Sequence, residues 1–135
     1  MTTIETDIVK INASDESIFN LLKDLRNYEV LFPAEKIKNW TATEKACSFL
    51  LKGMSTIEME VKSLQSPENI KLKSGTKAPF KFDIDIVIEA SKEEENLTAL
   101  QLIFKAEMNA FVKMMVEKPL TAFFNKLVHS VEGQL

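Results

Sequence analysis

The chain has 135 residues, 45% hydrophobic and 27% charged, with a net charge of -3. These proportions suit one globular domain over residues 1–135 with a core of its own, and the acidic balance argues against a nucleic-acid surface, which needs clustered Lys and Arg. One cysteine, Cys47, excludes an intrachain disulfide. No stretch approaches the roughly 20 apolar residues of a membrane span, and residues 1–7 lack a basic and apolar leader pattern, so a cytoplasmic protein without integral membrane association is expected.

Thr3 to Ile11 is rich in β-branched residues and predicts a first strand. Adjacent Ile8 and Val9 break its alternation and predict a bulge. Ser14, followed by Asp15 and Glu16, has the form of a helix N-cap with acids in the first turn. Ile18, Leu21, Leu22 and Leu25 supply that helix with an apolar face. Asp24 predicts a second short helix carrying Leu25, Tyr28 and Leu31, ended by Pro33.

From Lys36 the hydrophobic period becomes two. Strands are expected over 37–41, 46–52, 56–64 and 70–74, then from Phe80 to Glu89 and from Leu97 to Glu107. Short polar turns separate them, so consecutive strands must be antiparallel neighbours. The last stretch, Asn109 to Leu135, is helical. Val116, Leu120, Phe123, Phe124, Leu127, Val128 and Val131 fall on one face, with His129 opposite. Phe111, Val112, Met114 and Met115 point elsewhere, and Pro119 predicts a break or kink between the two regimes. Gly133 is the expected stop.

The order is β-α-α-β6-α, an α+β chain whose terminal helix must cover the apolar face of the sheet. This order resembles the SRPBCC superfamily of START lipid-transfer domains, birch-pollen-allergen-like proteins and polyketide cyclase or dehydrase relatives, and in particular its small stand-alone bacterial members. Ala13-Ser14-Asp15 before the first helix, Asp24 to Tyr28 after it, and the long terminal helix carry the resemblance. It implies a helix-grip fold. A curved seven-stranded antiparallel sheet would wrap the C-terminal helix around an apolar cavity, and two short helices would close one end.

Within that frame Phe49, Met59, Phe82, Ile84, Leu102, Phe104, Phe123 and Leu127 are expected to face the space between sheet and helix, where they line a cavity or fill a core. Leu120 and Phe124 join them from the helix. Met108 and Met115 sit where the last strand enters the helix and suit an adaptable rim. Tyr28 and Trp40 could each add one polar group to an apolar site. Cys47 has no neighbour in sequence to activate it, Asp83 and Asp85 sit on the polar face of their strand, and His129 has no second histidine for a metal cluster. No catalytic residue, metal or cofactor is expected. The leading expectation is binding of a hydrophobic small molecule, a lipid or acyl compound, by a monomer or homodimer. A cyclase or dehydratase-like enzyme is the first alternative. A protein-interaction or self-association module using Phe111, Val112, Met114 and Met115 is the second.

Overall fold

In a computed structural model describing residues 1–135, the alternating stretches form strands. These are β1 (Thr2–Glu5), β2 (Val9–Ile11), β3 (Ile37–Ala42), β4 (Ala46–Leu51), β5 (Thr56–Gln65), β6 (Asn69–Ser74), β7 (Phe82–Ala90) and β8 (Thr98–Ala106). The helices are α1 (Asp15–Leu22) and α2 (Ala110–Ser130). All pairings are antiparallel, in the order β1-β8-β7-β6-β5-β4-β3, with β2 also on β8.

The expected bulge divides the first strand. Glu5 pairs with Ile103 and Val9 with Leu100, so four steps on one strand face three on the other. The surplus turns Ile8 outward, where it is 64% exposed. Thr6 bridges the gap: its N–H donates to the Leu102 carbonyl and its Oγ1 accepts from the Leu102 N–H, both at 3.0 Å. The hydroxyl replaces a ladder partner that the bulge removes.

Ser14 caps α1 as expected, its Oγ accepting from the Ser17 N–H at 3.2 Å. The second short helix is a tight 3-10 turn over Leu25–Tyr28 that stops short of Leu31 and Pro33, and a further 3-10 turn follows Pro33 at Ala34–Lys36. Asp24 starts the first of these turns by accepting from the Arg26 N–H at 3.0 Å. The hydrogen-bonded Arg26 side chain holds the Asp24 carboxyl below its usual pKa. The strand expected from Phe80 begins at Phe82, whose N–H donates to Ser74 Oγ.

Adjacent aromatic residues on α2 establish the curvature of the sheet. Phe123 lies 5.8 Å from Phe49 of β4, and Phe124 lies 5.5 Å from Phe104 of β8. Four strand spacings separate β4 from β8, about 19 Å in a flat sheet. Two neighbouring side chains reach both only because the sheet wraps the helix.

Of the break or kink expected at Pro119, the helix rules out the break. It runs unbroken through Pro119. Proline cannot donate to the Met115 carbonyl, but Met115 and Pro119 are both exposed, so water can satisfy that acceptor. The helix ends at Ser130, ahead of Gly133, which lies in a final 3-10 turn.

Candidate functional site

The space under α2 is filled. Phe32 and Phe123 stack at 4.2 Å, Phe49 stands 5.3 Å from Phe32, and Trp40 stacks on Phe49 at 5.5 Å. A second group joins Phe82 to Phe104 at 5.2 Å and Phe104 to Phe124 at 5.5 Å. Phe123 and Phe124, 5.5 Å apart, connect the two. Offset and edge contacts of this kind add to the burial of the rings. The void left between them is about 10 Å³, lined by residues including Leu51, Ile57, Leu120 and Phe123. A drug-sized ligand needs roughly 300–1,000 Å³.

The sequence-selected residues are mostly gathered here. Tyr28, Phe49, Met59, Phe82, Ile84, Leu102, Phe104, Leu120, Phe123, Phe124 and Leu127 are all buried. Trp40 and Met108 are half-buried against the same core. Met115 is apart from them, 59% exposed on the outer side of α2. Tyr28 does not present its hydroxyl to this space, because the O–H donates to the Leu22 carbonyl at 2.7 Å. Burial raises its pKa well above the usual tyrosine range. Burial also pushes the Cys47 thiol up to about 12, which holds it protonated at neutral pH.

Open space lies beside the core. A groove of about 530 Å³ runs between α2 and the segment around Pro33, with Pro119, Ala122 and Phe123 on one wall and Leu51 and Met54 on the other. Leu51 and Phe123 line both this groove and the internal void. These two side chains therefore partition the outside from the space under the helix. Lys36, Lys52 and Lys126 stand at the groove with one acid, Glu35.

Sequence reasoning missed Phe32, Met54, Ala122 and the lysines. Phe32 had one usable signal, its four-residue step from Tyr28 beside buried Leu31. The others carry none, since the groove is assembled from separated segments.

The remaining polar candidates have structural partners. His129 Nε2 meets Asp7 Oδ2 at 2.8 Å, and the Asp7 N–H donates to Asn125 Oδ1 at 2.8 Å. These contacts fasten the end of α2 to the β1–β2 junction. Asp83 and Asp85 pair with Lys62 and Lys71, each at 3.4 Å, across the outer face of the sheet.

A curved antiparallel sheet gripping a C-terminal helix, with two helical segments after the first strand, is a helix-grip fold. Solved structures agree. XoxI from Bacillus cereus superposes with a TM-score of 0.77 at 12% identity, over 99% of this chain and 95% of that one. A START superfamily protein from Mycobacterium smegmatis gives 0.69 at 18% identity, over 98% and 95%. The Aha1 dimer from Colwellia psychrerythraea gives 0.64 at 17%, over 98% and 97%. At such identities the likeness is one of fold. No family model matches the chain, and no curated protein matches it by sequence.

Proposed function

We propose that the protein binds a hydrophobic small molecule, a lipid or acyl compound, entering by the groove between α2 and the Pro33 segment. One observation carries this reading: Leu51 and Phe123 are shared between an open groove of about 530 Å³ and the void beneath the helix. The groove has the volume of a small-molecule site, and the void alone does not. A ligand seats against Met54, Ala122 and Phe123 first. Rotation of Phe123 then opens a path toward Phe49 and Trp40. The START-like fold of the neighbours supports the same reading.

Burying about 300 Å² of apolar ligand at about 25 cal/mol per Å² contributes about 7 kcal/mol before association costs. That suits an acyl chain held by shape, with few polar contacts needed. The test is denaturing mass spectrometry of an organic extract of the purified protein, with a dodecanoate titration beside it. Ala122 is exposed in the groove, so Ala122→Trp fills the space without entering the core. A co-purified or titrated ligand that this substitution displaces supports the reading. An empty extract together with no saturable dodecanoate binding sinks it.

A further inference from the structure

Three large apolar side chains stand in solvent on one stretch of α2: Phe111 is 66% exposed, Met114 74% and Met115 59%. The core explains none of them, since α2 already buries Val116, Leu120, Phe123, Phe124, Leu127 and Val128 on its other side. Helical steps of three and four place Phe111, Met115, Pro119, Ala122 and Lys126 in one row, with Met114 and Lys118 in the row beside it. The exposed apolar residues thus run directly into the groove wall formed by Pro119, Ala122 and Lys126.

The charges on this helix are unlike those of the whole chain. Between Ala110 and Ser130 the lysines are Lys113, Lys118 and Lys126, and the only acid is Glu117. Glu117 stands 3.9 Å from Lys113, away from the row that contains Met115. Lys36 and Lys52, with one acid, Glu35, face the same groove from across it. The protein nevertheless carries a net charge of -3. Its acidic run Glu93 to Glu95 lies in the turn before β8, while α2 begins just after the other end of that strand. Nine residues of β8 separate the two, about 30 Å of extended chain. α2 then runs back along the sheet, with Asn125 reaching Asp7 and Glu132 reaching Asn12, so this distance separates the acidic run from Phe111, Met114 and Met115 at the start of the helix.

We propose that this face, Phe111, Met114 and Met115 with Lys118 and Lys126 beside them, docks the protein on an anionic lipid surface. The apolar side chains enter the headgroup boundary while the lysines meet acidic headgroups, the division of labour of an interfacial helix. Docking in this way brings the groove to the membrane. A second copy of the chain fits the face less well. A symmetric pair would set Lys118 and Lys126 against the same lysine-bearing face, where Glu35 is the one acid beside Lys36, Lys52 and Lys126. The docking face stands independently of the ligand reading, because Phe111, Met114 and Met115 do not line the groove.

The test is co-sedimentation of the full chain with phosphatidylcholine vesicles containing or lacking phosphatidylglycerol, at low and high salt, with light scattering of the protein alone. Two variants accompany it: Met114→Glu with Met115→Glu, and Lys118→Glu with Lys126→Glu. All four positions are exposed, so circular dichroism should show both variants folded. Expected is binding to the acidic vesicles alone, at least tenfold weaker in either variant and lost at high salt. No binding to acidic vesicles overturns the proposal, as does equal binding by wild type and variants. A wild-type dimer that the methionine variant converts to monomer also overturns it, since a second copy would then be what covers the face.

Discussion

From Leu120 to Val128, α2 directs Leu120, Phe123, Phe124, Leu127 and Val128 into the sheet, and Asn125 and His129 fasten its outer side to Asp7. From Phe111 to Pro119 the same helix sets Phe111, Met114 and Met115 in solvent, and only Val116 is buried. The backbone is continuous between these halves, so secondary structure does not distinguish them. Packing does. The second half holds the fold together because the curved sheet surrounds it. The first half buries Val116 and rests Val112 against the core, contrary to the grouping of Val112 with the outward residues, and leaves Phe111, Met114 and Met115 available to something outside the chain.

The sharpest way to break this comparison is to remove packing from the second half. Phe123→Ala withdraws a ring that contacts Phe32, Phe49 and Phe124, and should cost about 3–5 kcal/mol in urea unfolding. A loss below about 1 kcal/mol would mean that the helix is not gripped. Pro119→Ala probes the junction. Restoring a donor for the Met115 carbonyl should raise stability, by up to about 3 kcal/mol, visible as a higher Tm. An unchanged Tm would mean that water already satisfies that carbonyl fully. Tyr28→Phe tests a buried hydroxyl under the helix-grip core, and should cost about 1 kcal/mol because the Leu22 carbonyl loses its donor. Met114→Ala and Met115→Ala, in the first half, should stay within about 0.5 kcal/mol of wild type. A larger loss would place them in the core after all.

The strands were legible because alternation is a local signal: Phe82, Ile84, Ile86 and Ile88 point inward at every second position. The buried stripe of α2 was legible for the same reason, with a period of three to four. What escaped was decided by distant geometry. Pro119 was expected to break or kink the helix, and the helix continues unbroken with that residue on its solvent side. A choice between cavity and filled core depends on how Phe32, Phe49 and Phe123 interlock, and no pattern in a single stretch encodes that volume. The groove draws on Pro33, Leu51, Met54 and Ala122, which only the closed sheet brings together.

The central claim is that an apolar ligand enters at this groove. Methyl-labelled methionine offers the most direct measurement, because Met54 lines the groove, Met59 is buried in the core, and Met114 and Met115 stand outside. Titration with dodecanoate below its micelle concentration should shift the Met54 resonance saturably, and Ala122→Trp should abolish the shift. A spectrum in which no methionine moves, or in which only Met114 and Met115 do, would contradict it.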